Sequence, residues 1–139
     1  MKLAESSRGW LVRFDPGEEV PRDLLTAAGT LGIETASVSG IGAVDRAVIA
    51  YFDLVEKRYL EIVLDEALEV VSLQGNLTRV AGTPFLHAHV VVSRRDGQTR
   101  AGHLMSARVS ITLEVFLDRF DARATRALDP RWGVKLLEL

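Results

Sequence analysis

Pro84-Phe85-Leu86-His87-Ala88-His89-Val90-Val91-Val92-Ser93, followed after Arg94-Arg95-Asp96-Gly97 by Gln98-Thr99-Arg100-Ala101-Gly102-His103-Leu104, carries all three histidines of the chain. Three consecutive valines favour a strand, and on a strand His87 and His89, two residues apart, project from the same face. Arg94 to Gly97 reads as a hairpin turn, whose length decides where His103 falls. A two-residue Asp96-Gly97 loop sets His103 opposite Val90, on the face away from the other histidines. A three-residue loop with Gly97 left-handed pairs Arg94 with Gln98 and sets His103 across from His89. The second register is the expected one. Neutral imidazole ligates zinc and similar ions, and three histidines with a fourth position open form the ligand set of a catalytic-type site. A His-x-His pair alone more often packs or hydrogen-bonds; the third histidine shifts the reading towards metal. Leu86, Ala88, Val90 and Val92 make the opposite face apolar, while Phe85 and Val91 flank the imidazoles.

The chain has 139 residues, with 47% hydrophobic and 26% charged side chains, the balance of a soluble globular chain. That length suits a single domain, residues 1–139. The net charge of −2 supplies no basic field for nucleic acid, so a DNA contact needs a local patch. Without cysteine there are no disulfides and no thiolate ligands, leaving nitrogen and oxygen donors for any metal. The first residues lack the apolar core of a signal peptide and no run reaches membrane-spanning length, so a cytoplasmic protein without membrane contact is expected.

Trp10 to Phe14 reads as a strand ended by Asp15-Pro16-Gly17. Leu24, Leu25, Ala27, Ala28 and Leu31 recur at helical spacing, with Pro21 suited to the first turn and Gly32 to the stop. Thr35 to Val44 has strand character bent by Gly40 and Gly42. A phosphate-loop reading there is weak, because Asp45 to Phe52 looks like another strand and supplies no helix N-terminus. Tyr59 to Leu64 and Leu68 to Leu77 are further strands, with a bulge or close packing expected at Gly75. Val109 to Leu117 alternates most clearly. The tail from Asp121 to Arg131 reads as a loop, with a short final strand over Val134 to Leu137. The sum predicts an α+β fold, a largely antiparallel β-sheet with one main amphipathic helix. Since one helix covers only one side of a sheet, subunit association is expected to cover the other.

Val38-Ser39-Gly40-Ile41-Gly42-Ala43, Glu69 to Leu77, Pro84 to His89 and Ala101-Gly102-His103-Leu104, in this order and spacing, resemble the PPC domain shared by plants and prokaryotes. The resemblance spans roughly Trp10 to Leu137. It implies an antiparallel sheet with a helix, a homotrimer, and His87, His89 and His103 as ligands of a divalent metal, with zinc expected. Plant relatives join this domain to AT-hook segments that bind DNA; this chain has no Arg-Gly-Arg-Pro hook, and Arg94, Arg95 and Arg100 fit a solvated loop as readily as a phosphate patch. The expected function is a DNA-associated or regulatory interaction module, a reading that leans away from catalysis. The alternative is a metal-dependent enzyme of hydrolase or lyase type acting on a small molecule, with Glu69 or Glu114 moving protons.

Overall fold

The computed structural model describes residues 1–138 and is 67% strand with a single short helix. In chain order the elements are β1 (Lys2–Ser6), β2 (Gly9–Phe14), β3 (Glu19–Val20), α1 (Arg22–Leu31), β4 (Ala36–Asp53), β5 (Arg58–Leu64), β6 (Leu68–Val80), β7 (Thr83–Ser93), β8 (Thr99–Arg119), β9 (Thr125–Asp129) and β10 (Val134–Glu138). All ten strands belong to one sheet. Pairing is antiparallel except for one parallel bridge, between Arg79 of β6 and Thr125 of β9.

The sheet curls on itself. β4 pairs with β6, β6 with β7, β7 with β8, and β8 returns to β4, so the four long strands close a circuit. Alternation then divides each strand between an inner and an outer face. Leu73 and Leu77 of β6, Leu86, Ala88, Val90 and Val92 of β7, and Val109, Leu113, Val115 and Leu117 of β8 share one buried cluster with Val38, Val44 and Ile49 of β4. The apolar side of the histidine strand is therefore covered by its own chain. His87, His89 and His103 lie on the outer side.

Helix α1 closes part of this core with Leu24 and Ala28, which are fully buried, and packs against β3 and β7. It ends where the sequence places its stop. Gly32 is left-handed at φ 65°, its N–H donates to Gly29 O and the Ile33 N–H donates to Ala28 O, satisfying two carbonyls that the helix end leaves free.

Several segments differ from expectation. The two strands read over Thr35 to Val44 and Asp45 to Phe52 are the single strand β4, whose pairing shifts register at Gly40–Gly42 and again beyond Gly42. Gly42, at φ 159°, is essentially extended backbone, so the glycines absorb a bend without ending the strand. Likewise β8 runs unbroken from the histidine segment through the alternating Val109 to Leu117 stretch. Gly75 is a close approach and not the bulge: a Cβ there would stand 2.2 Å from His87 O, whereas the register shifts between Val70 and Ser72. The Asp121 to Arg131 tail, expected as a loop, contains β9, which forms a hairpin with β10. Strand β1 was not anticipated from the sequence.

Candidate metal centre

Loop length sets the site. Gly97 is left-handed at φ 81°; its N–H donates to Arg94 O, and the Arg94 N–H donates to Gln98 O, each at 2.9 Å. Asp96 Oδ1 accepts the Gln98 N–H at 3.0 Å and braces the turn. The three-residue loop therefore forms, and the register runs Ser93 opposite Thr99 down to His89 opposite His103. Across the other edge of β7, His87 pairs with Asn76 and His89 with Gln74. Gly75 lies between those two and lets β6 press against the backbone joining the histidines, since any side chain would meet His87 O and Ala88.

The three imidazoles converge. Ring centroids are 5.4 Å apart for His87 and His89, 5.2 Å for His87 and His103, and 5.5 Å for His89 and His103. Each ring offers a nitrogen, and these three atoms lie within 4.8 Å of one another. Small side-chain rotations bring such nitrogens to the roughly 3.3 Å separation of a tetrahedral zinc complex with bonds of about 2.0 Å. His103 is held by Tyr59 stacked on it at 4.8 Å, and Tyr59 is itself braced edge-on by Phe52 at 5.1 Å. Its Nδ1 is buried with no hydrogen-bond partner.

Electrostatics keep two of the rings neutral. Burial, then the neighbouring His87 and His89, pushes His103 down to about 4. Burial also lowers His87, with Arg126 and His89 adding to the effect. A neutral imidazole retains the lone pair a metal needs, and a buried nitrogen without a partner is the atom a bound ion would satisfy. The donor set therefore fits a divalent metal with nitrogen preference. Such an ion, when bound, supplies a Lewis acid that polarises a carbonyl or activates a water.

Arg126, on β9, completes the surroundings and was not singled out from the sequence. It is only 7% exposed. Its Nε donates to Thr78 Oγ1 at 3.1 Å, Nη1 to Lys135 O at 2.8 Å, and Nη2 to Asn76 Oδ1 at 2.8 Å while facing His87 Nδ1 at 3.3 Å. Thr125-Arg126-Ala127-Leu128 does not alternate polar and apolar residues, so the sequence signals only the Asp129-Pro130 turn that follows it.

Glu69 and Glu114 lie elsewhere. Both are exposed and line an outer depression of about 390 Å³ with Ile41, Gly42, Val70, Val71 and Thr112, which includes no histidine. Of the hairpin arginines, Arg94 is paired with Glu66 at 2.6 Å, and Arg100 donates to the adjacent Thr99 O at 3.0 Å. Among the described residues no helix is long and apolar enough to cross a membrane.

Solved structures place this arrangement among relatives. A metal-containing protein from Archaeoglobus fulgidus is 36% identical with a TM-score of 0.86, covering 100% of both chains. A plant- and prokaryote-conserved (PPC) protein from Pyrococcus horikoshii is 32% identical with a TM-score of 0.87, over 99% of this chain and 94% of that one. A candidate DNA-binding protein from Bacteroides thetaiotaomicron, 26% identical, superimposes with a TM-score of 0.94 over 99% and 96% of the two chains. No curated protein matches the chain. The family model of the Plants and Prokaryotes Conserved (PCC) domain matches residues 1–121. By that match, and by the like fold of relatives at and above 30% identity, the chain belongs to the PCC-domain family.

Proposed function

We propose that this chain is a homotrimeric metal-binding module in which His87, His89 and His103 hold one divalent ion, zinc, and leave a coordination position open to a further ligand. The observation that carries the reading is the convergence of three imidazole nitrogens within 4.8 Å. The unpartnered Nδ1 of His103 and the metal-containing relative from Archaeoglobus support it. Zinc is the choice because three nitrogen donors without thiolate suit it and it imposes no geometry of its own. As a cytoplasmic regulatory module the protein would associate with DNA, the partner named for the Bacteroides relative. A net charge of −2 and the Arg94–Glu66 pair make that association dependent on a surface assembled from several subunits.

A second reading, a small-molecule metalloenzyme of hydrolase or lyase type, is favoured by one observation: Arg126 stands beside the histidines with Nη2 3.3 Å from His87 Nδ1. Glu69 and Glu114 serve that reading only across a subunit boundary, because within one chain they line a depression without histidines.

Elemental analysis of untagged protein tests the metal. One zinc per chain is expected in the wild type, and His103→Ala should lower it below one tenth while the circular dichroism spectrum stays unchanged. Stoichiometric metal in His103→Ala would sink the proposal.

A further inference from the structure

The geometry points to Arg126 as the second half of a binding site, which seats a small oxyanion, a carboxylate or a phosphate group, between its guanidinium and the metal. This inference rests on the metal reading above and extends it from the ion to the ligand.

Arg126 is a buried cation that no carboxylate pairs with among the described residues. Its partners are a hydroxyl, an amide oxygen, a backbone carbonyl and an imidazole nitrogen, all uncharged acceptors. A second cation is close: Lys135 Nζ stands 5.0 Å from the ring centre of Phe85, and the Arg126 guanidinium carbon stands 5.6 Å from the same ring. Two positive groups therefore lie against the Phe85 ring, Arg126 also beside His87, and a divalent ion would add more positive charge. A buried guanidinium without a counter-ion is costly unless something anionic completes it.

Metal binding also removes one acceptor from Arg126. Nη2 donates to Asn76 Oδ1 and, in the tautomer whose Nδ1 is unprotonated, to His87 Nδ1. If His87 ligates the ion through Nδ1, that lone pair goes to the metal. If it ligates through Nε2, the ring proton moves to Nδ1, which then cannot accept. Either way one N–H of Arg126 loses its partner on the side facing the ion. An oxyanion supplies what both groups lack, one oxygen to the open coordination position and another to the freed Nη2 N–H of the guanidinium. A neutral ligand would satisfy the ion but leave the arginine charge uncompensated. Thr78, Asn76 and Lys135 O hold Arg126 in place beforehand, so the seat is preorganised.

The test uses full-length protein loaded with cobalt(II), whose visible absorption reports its coordination and which accepts the same donors. Acetate, inorganic phosphate and neutral acetamide are titrated into wild type and Arg126→Gln. The inference expects acetate or phosphate, but not acetamide, to shift the wild-type bands, and Arg126→Gln to bind cobalt stoichiometrically while its anion Kd rises at least tenfold. The tighter of the two anions identifies a carboxylate or a phosphate ligand. Equal anion affinity in the two proteins overturns the inference, as do wild-type bands indifferent to both anions. Loss of cobalt from Arg126→Gln also overturns it, making the arginine a support of the metal site. Absence of cobalt bands in the wild type overturns the metal reading itself. If Arg126→Gln does not fold, the arginine side-chain 15N–1H resonances of the zinc-loaded wild type decide: the Arg126 signal must move on anion addition, and a stationary signal refutes the seat.

Discussion

At His103 burial lowers the proton affinity to about 4, and the sign of its effect on stability follows from that direction. An unfolded histidine titrates near 6.5, so between about 6.5 and 4 the unfolded chain binds more protons than the folded one. The stability contributed by the neutral ring is fully present above about 6.5 and is lost as pH falls towards 4. His87, lowered in the same direction, adds to the slope. Metal-free protein should therefore lose about 1–2 kcal/mol between pH 7 and 4.5 through His103, the full shift being discounted because the ring is only half-buried. Urea melts across that range check it: His103→Gln should flatten the curve, and an equally steep curve in the variant would place the titration elsewhere. At this scale the histidines were readable because the period of a strand is two and all three fall in one hairpin. Arg126 was not, because its position depends on a hairpin between β9 and β10 and on contacts to Asn76 and Thr78, which lie about fifty residues earlier.

Between β7 and β8 the turn does what no single histidine can, since it fixes which face the third imidazole joins. Deleting Gln98 leaves the three-residue loop in place but pairs Arg94 with Thr99, which slips β8 by one position against β7, sets His103 opposite Val90 and turns it towards the core side. The deletion should abolish stoichiometric metal, as His103→Ala should, but from a chain that keeps every histidine. Its stability should also fall by several kcal/mol, unless β8 holds its register through its long pairing with β4 and the strain is confined to the hairpin. Metal analysis beside a thermal melt separates these cases, and a deletion that keeps full metal content would show that the hairpin register does not set the site. The hairpin was legible because Asp96-Gly97 marks the turn and alternation marks both arms. The length of β4 and β8 was not, since Gly40, Gly42 and the polar residues between Leu104 and Val109 look like interruptions when read locally. Pairing with two neighbours at once carries the strand through them.

Over the whole molecule the closed circuit of long strands buries the apolar side of β7, so the surface available for assembly is not the one the histidine strand alone suggested. Among the apolar side chains left outside, Leu11 at 40%, Ile41 at 59%, Val71 at 52% and Phe116 at 51% exposure lie on the adjoining strands β2, β4, β6 and β8. They form a neighbourhood: Leu11 pairs with Phe116, Phe116 with Ser39, and Ile41 with Glu114. At about 25 cal/mol per Å², removing roughly 400 Å² of such surface from water contributes on the order of 10 kcal/mol before the entropy of association is subtracted. Closed threefold symmetry would cover the patch on every copy and leave no open surface for further growth. Light scattering at micromolar concentration should therefore give three times the 15.3 kDa chain mass. Ile41→Lys with Phe116→Lys should reduce it to one chain, because two buried lysines at each interface are charges without partners. The three histidines come from a single hairpin, so the dissociated variant should still bind one metal per chain. A wild-type mass of one chain in dilute native buffer would reject the trimer. A dissociated variant that loses its metal would instead show that a neighbouring subunit completes the centre, bringing Glu69 and Glu114 back as candidates for its chemistry.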